Sequence, residues 1–328
     1  MTDTEKYSEN KLYEHIKEHT KDKFLFYYNE ISLMFVVSGE NNFRTTKYSC
    51  DKIKYILLDD RSIGCNIPDE YKQSCISVAE TFAKKLSIPI IHVEYRNDIL
   101  TFDENSYVNI RLYNAKNNTT EMDKTTWDTY ENYLIFQLDK LLNKYNIECS
   151  VIENINNEIK NDGGDTKPIN SKPSSAFHIW QRDCLDMKGF IVDIDLIRYR
   201  LVNGKKTMAG FYELKRSHTD FDSWIPYVND RFNYLAYAKL SELLNLKFET
   251  IFYGQDYLSG SKKSNNLKYK DNISRIKIFD IYHKVGTDYS SHNLLIRLKT
   301  IEPLEKFLDD VQTTSFKDSV VNPDYRSM

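Results

Sequence analysis

Cysteine is scarce in these 328 residues: Cys50, Cys65, Cys75, Cys149 and Cys184 are all there are. The number is odd and no two stand as Cys-x-x-Cys, so neither a disulfide framework nor a zinc site is indicated. Glycine (10) and proline (7) are also few and aromatics reach 13%, which argues against long disorder. A basic excess is missing too. The net charge is −3 and the pI about 6.2, so any contact with nucleic acid has to come from local patches. No apolar run reaches spanning length, and no basic-then-apolar leader opens the chain. A reducing cytoplasm without membrane attachment is the expected setting. Walker loops, dinucleotide fingerprints and a Ser/His/Asp context are lacking. Gly163-Gly164 reads as hinge material, because no strand and helix flank it.

What remains is an ordinary α/β composition, 41% hydrophobic and 28% charged, in a chain long enough for about two domains. The apolar pattern fades over 154–175, where Asn, Gly, Asp and two prolines collect into linker-like sequence. The expected division is an N-terminal α/β domain over 1–153, a linker over 154–175 and a C-terminal domain over 176–328. In the first domain, strands are expected at Phe24–Ser38, Lys54–Leu58 and Ile88–Glu94, with a helix from Pro68 to Leu86. Further strands are expected at Ile99–Phe102 and Val108–Tyr113, then a long helix over Trp127–Tyr145. In the second, a helix over Asp230–Leu244 precedes strands at Phe248–Tyr253, Ile276–Tyr282 and Leu294–Leu298, and Pro303–Val311 closes the pattern as a helix.

The most informative stretch is Phe190–Lys215. Asn203-Gly204 is a strong two-residue hairpin signal, predicting antiparallel strands over Phe190–Leu201 and Thr207–Lys215. Alternate side chains of a strand share a face. Asp193 and Asp195 therefore oppose Phe190, Val192, Ile194 and Leu196, while Glu213 and Lys215 oppose Tyr212 and Leu214. Two acids can thus meet an acid and a lysine across the hairpin. Hard divalent cations such as Mg²⁺ prefer carboxylate and phosphate oxygens. Asp195 and Glu213 would hold the ion, and Lys215 would orient a water or balance charge on phosphorus. A solvent-facing hairpin with scattered charges is the plain alternative.

Asp195, Glu213 and Lys215, set in Asp-Ile-Asp-Leu-Ile and Tyr-Glu-Leu-Lys, resemble the core of the PD-(D/E)XK nuclease superfamily, the restriction-endonuclease-like fold. Asn233-x-x-x-Tyr237 is similar to the Gln-x-x-x-Tyr pair that several members carry on the next helix. No Pro precedes the Asp, and no upstream helical Glu has a clear counterpart. The resemblance covers about the last half of the chain. It implies a restriction-endonuclease-like mixed sheet flanked by helices and a Mg²⁺-dependent endonuclease acting on DNA, with Mn²⁺ able to substitute. Asp193, Asn233, Tyr237 and His218 are accessory candidates. Arg216, Trp224, Arg231, Lys262 and Lys263 are candidates for gripping the nucleic acid, though Trp224 fits a core anchor equally. A homodimer is expected where both strands are to be cut. An inactive binding or assembly protein of the same fold, or an RNA-cleaving enzyme, are the competing readings.

The halves also echo each other. Pro68 to Leu86 and Pro226 to Leu244 have equal length, and each helix is followed by an apolar strand ending in tyrosine. This suggests that the N-terminal module is a degenerate copy, with Asp59-x-Arg61 in place of Glu-x-Lys.

Overall fold

A computed structural model describes residues 11–19, 24–25, 31–42, 47–63, 67–96, 107–114, 119–126, 190–202, 205–217, 219–227, 230–259, 268–284 and 286–313. The Asn203-Gly204 turn, the helix expected at Trp127–Tyr145, the strand at Ile99–Phe102, the linker and the candidates His218, Lys262 and Lys263 lie outside them.

The architecture is α/β with two modules. The first comprises Met1–Ser8, Asn29–Ser38 and Ile53–Ile191; the second comprises Glu9–Tyr28, Gly39–Lys52 and Val192–Met328. The division is therefore not the contiguous one expected at 154–175. Two N-terminal segments pack with the second module, which composition alone has no means to register.

One sheet contains β2 (Ile31–Asn42), β3 (Lys47–Ile63), β4 (Ile90–Arg96), β5 (Tyr107–Asn114), β6 (Thr119–Thr126) and β7 (Phe190–Ile194), in the order β6-β5-β4-β3-β2-β7. The first module holds most of it, while Gly39–Asn42 of β2, Lys47–Lys52 of β3 and Val192–Ile194 of β7 belong to the second. Helix α2 (Asp69–Leu86) links β3 to β4, which run parallel; β4, β5 and β6 are successively antiparallel. The helix buries Cys75, Ala79, Phe82 and Ala83, and Phe82 lies 6.1 Å from Phe35 of β2.

The second module has α1 (Lys11–His19), β1 (Phe24–Leu25), β8 (Leu196–Val202), β9 (Lys205–Ser217), β10 (Lys247–Ser259), β11 (Lys268–His283) and β12 (Leu294–Pro303), ordered β1-β8-β9-β10-β11-β12. Helix α3 (Arg231–Leu244) makes the parallel crossover from β9 to β10, and α4 (Leu304–Thr313) closes the chain's described part. The remaining pairs are antiparallel.

The two sheets repeat one topology: a hairpin, a helix, a parallel strand and two antiparallel strands. Both crossover helices end on a non-glycine residue in the left-handed region, Ser87 at φ 55° and Asn245 at φ 53°. Each feeds a strand within three residues. With the two stretches of sequence aligned on the C-caps Ser87 and Asn245, Ile90 matches Phe248, and their parallel partners Ile56 and Phe211 match in turn. Leu58 and Asp60 then stand where Glu213 and Lys215 do. The expected equivalence of Asp59-x-Arg61 to Glu-x-Lys is thus one residue out of register, which in a strand moves it to the opposite face.

The core of the second module lies between α3 and the sheet. Tyr237 packs its ring 4.5 Å from Phe248, which stacks on Phe211 at 5.1 Å. A neighbouring cluster joins Trp224, Phe252 and Phe279, with Phe221 against it. Side chains of this size each contribute ~1.5–3 kcal/mol on full burial. Gly39 is required by close approach: a Cβ there would stand 1.9 Å from the Ser49 carbonyl.

Candidate active site

The strand expected over Phe190–Leu201 is interrupted at Asp195, which separates β7 from β8. The cause is local. Leu214 N–H donates to Asp195 Oδ2 at 2.6 Å, so a side chain takes a ladder donor of β9. Leu196 pairs with Tyr212, and Asp195 therefore stands beside Glu213. Burial alternates as expected, with Val192, Ile194 and Leu196 buried, Asp193 exposed and Asp195 half-buried.

Glu213 and Lys215 share one face of β9, under α3. Glu213 is 5% exposed. Lys215 Nζ lies 2.7 Å from Glu213 Oε1 and 3.3 Å from Asp230 Oδ2. Asp230 is the N-cap residue of α3 but makes no side-chain cap bond; its carboxylate turns to Lys215 instead. Burial works against the Lys215 charge, yet Glu213 and Asp230 outweigh it and hold its pKa well above the ordinary 10.5. This lysine is a fixed cation.

Tyr237 Oη is 2.7 Å from Glu213 Oε2 and 2.6 Å from the Asp193 carbonyl oxygen. One hydroxyl carries one proton, so the two acceptors compete for it. When Glu213 is protonated, its own O–H can donate to Tyr237 Oη and the phenol to Asp193, and every group is satisfied. Burial, and then the Asp193 charge, raise the Glu213 pKa, against the pull of Lys215. Burial, Glu213, Asp193 and Asp195 push the Tyr237 phenol well above its ordinary value, so it stays a donor. Asp193, Asp195 and Glu213 offer the carboxylate oxygens a hard divalent cation prefers, but no three of Asp193, Asp195, Glu213 and Asp230 bring donor atoms within 4.8 Å of one another.

The other candidates separate. Asn233 is half-buried one turn before Tyr237 on α3. Arg216 lies on the opposite face of β9 from Glu213, 3.5 Å from Asp271 Oδ2, so it does not join the site. Trp224 is 2% exposed and stacks on Phe252 at 3.9 Å and 4°. It is a core anchor, closed to a base, because the stack on Phe252 and the edge contact with Phe279 at 5.6 Å bury the indole. Arg231 is half-buried at the start of α3.

Three groups escaped the sequence reading. Asp230 carried only a helix-start signal. In the first module, Asp60 is fully buried, with His92 Nε2 at 2.8 Å and Lys72 Nζ at 3.2 Å, and Lys72 also binds Glu94. A strand acid paired to a helix lysine there inverts the charges of the Lys215–Asp230 pair, and Leu58 takes the place of Glu213. On α1, His15, Glu18 and His19 bring their donor atoms within 4.8 Å of one another; the His15-x-x-x-His19 spacing stands plainly in the sequence and was missed. Among the described residues, no helix is long and apolar enough to cross a membrane.

The fold and site define an α/β protein of two topologically repeated modules, one of which holds a buried acid–lysine–tyrosine site. No family model and no curated protein matches the chain. Among solved structures, the crystal structure of Sex pheromone staph-cAM373 precursor is 11% identical, over 91% of this chain and 93% of that one, with a TM-score of 0.17. A likeness that low carries no argument.

Proposed function

We propose that the second module is a Mg²⁺-dependent nuclease that hydrolyses phosphodiester bonds of DNA as an endonuclease, belonging to the PD-(D/E)XK superfamily. The observation that carries this reading is Glu213, a buried carboxylate flanked by Asp193 and Asp195 and held in place by Lys215 and Tyr237. Asp195 and Glu213 would hold the ion. When bound, it supplies a Lewis acid for the phosphate and a water of lowered pKa. Lys215 places a permanent positive charge where charge develops on the phosphoryl oxygens or the attacking water, and Asp230 fixes its ammonium. Tyr237 orients Glu213 by its hydroxyl. Asp193 adds negative charge at the site.

At the matched strand positions Glu-x-Lys stands in the second module, and Leu58 and Asp60 take its place in the first. One chain would then cut one strand, and a homodimer would serve double-strand cleavage. The test is nicking of supercoiled plasmid with Mg²⁺, run beside an RNA of matched sequence. Wild type should nick, and Asp195→Ala and Lys215→Ala should not. Equal cleavage by those variants excludes the site. Wild-type inactivity on both polymers favours a non-catalytic assembly protein, and cleavage of RNA alone reassigns the substrate.

A further inference from the structure

The segment 219–227, between β9 and α3, is braced from several sides. Asp220 Oδ2 accepts the Ser223 amide at 2.9 Å, and the Asp220 carbonyl accepts the Trp224 amide at 3.1 Å. Lys277, itself 3% exposed, donates to the carbonyls of Asp222 (2.7 Å) and Trp224 (3.2 Å). The Trp224 ring is clamped on Phe252. On this rigid base stand two large side chains turned to solvent, Ile225 at 69% and Tyr227 at 43% exposure. The Tyr227 ring meets the Trp224 ring edge-on at 5.6 Å and 85°. Its hydroxyl is 2.7 Å from Ser217 Oγ, which also bonds Thr219 at 2.9 Å. Exposed apolar surface held this firmly is a cost unless something covers it.

Its position relates it to the site. Ser217 lies two residues beyond Lys215 on the same face of β9, about 7 Å along the strand. The Tyr227 carbonyl accepts the amide of Asp230, the residue paired to Lys215. The ledge therefore borders the acid–lysine site on the second module's own scaffold. A chain of net charge −3 supplies no overall basic field, so phosphate contacts rest on local lysines and arginines, and a second source of affinity for a polynucleotide adds to them. Base stacking on aromatic rings is that source for single strands, and it is tolerant of sequence.

We propose that Tyr227, with Ile225 beside it, is a stacking platform for an unpaired nucleobase next to the scissile phosphate, which makes single-stranded DNA, or a locally unpaired strand, the substrate. This rests on the nuclease reading of the neighbouring site. Tyr227 is a specificity residue here and takes no part in the chemistry.

The experiment uses the full chain and single-stranded oligonucleotides carrying 2-aminopurine at successive positions, with EDTA present so that binding is read without cleavage. Wild type should quench the fluorophore at one position. Tyr227→Ala should abolish that quench and weaken binding on the order of 10-fold, the size expected for one stacked base. Tyr227→Phe should keep both, and Ile225→Ala, at a position too exposed to affect folding, should reduce the quench. Under Mg²⁺, Tyr227→Ala should raise KM with little change in kcat. A flat quench profile in wild type, or unchanged binding in both alanine variants, overturns the platform even if cleavage is robust. A positional quench without any Mg²⁺-dependent cleavage upholds the platform and removes the nuclease.

Discussion

Replacing Lys215 by methionine isolates the electrostatics on which the site depends. Methionine keeps most of the aliphatic stem, so packing under α3 changes little, but the ammonium 2.7 Å from Glu213 and 3.3 Å from Asp230 is gone. Removing one partner of a buried ion pair costs roughly 3–5 kcal/mol, because the other charge is left uncompensated. A fifth of the Lys215 side chain is exposed and Tyr237 still bonds Glu213. We therefore expect the lower end, about 3 kcal/mol. Glu213→Gln alone should cost less, about 1–2 kcal/mol, since Lys215 keeps Asp230 and the amide keeps the Tyr237 bond. In the double variant no buried charge of the pair is stranded. Its cost should fall short of the sum by about 2 kcal/mol, well outside the few tenths expected of independent sites. The assay is urea unfolding followed by hydrogen exchange at the amides of β9 and β10, which reports the second module by itself. None of the three variants should cleave, so stability and activity come apart in the double variant. The reasoning fails if Lys215→Met costs no more than a surface change, about 0.5 kcal/mol, or if the two single costs add.

Three further outcomes follow from the same geometry. The folded-state pKa of Glu213 is raised above the ordinary 4.5, so its ionisation is a load on the fold. Its stabilising contribution is complete below the unfolded value and is lost as pH rises through the folded one; Mn²⁺ affinity by calorimetry should rise over that same interval and lose this dependence in Glu213→Gln. Tyr237→Phe leaves Glu213 Oε2 and the Asp193 carbonyl without their donor, which should cost about 1–3 kcal/mol in urea unfolding and weaken Mn²⁺ binding. Lys72→Met should destabilise the first module by about 3 kcal/mol through Asp60 and Glu94, yet leave the kcat of cleavage within about twofold, since that module lacks the Glu213 equivalent.

The parts of the fold written in local pattern were legible. The helix from Asp230 to Leu244, the strands around Phe248 and Ile276, and the shared face of Glu213 and Lys215 all follow from period-2 and period-3.6 alternation. The equal spans from Pro68 and Pro226 did not become equal helices, since Asp69–Leu86 has 18 residues and Arg231–Leu244 has 14. What the sequence hid depends on long-range partners. The break at Asp195 follows from an acceptor for Leu214 N–H, which no window of a dozen residues reveals. Asp230 gave a helix-start signal and became the second partner of Lys215. Asp59 and Asp60 are both fully buried, and strand alternation turns Asp60 to the face that carries His92 and Lys72 and Asp59 to the other. The membership of 9–28 and 39–52 in the second module is a matter of topology, and composition carries no trace of it.

The central claim is that Asp195 and Glu213 converge on one divalent cation. Crystals of the wild-type chain soaked in Mn²⁺, with data collected at the manganese edge, address it directly. We expect a single anomalous peak in the second module, coordinated by both carboxylates, with the Lys215 ammonium nearby. A saturating soak that leaves those two side chains without a peak, or places manganese elsewhere in the module, contradicts the account.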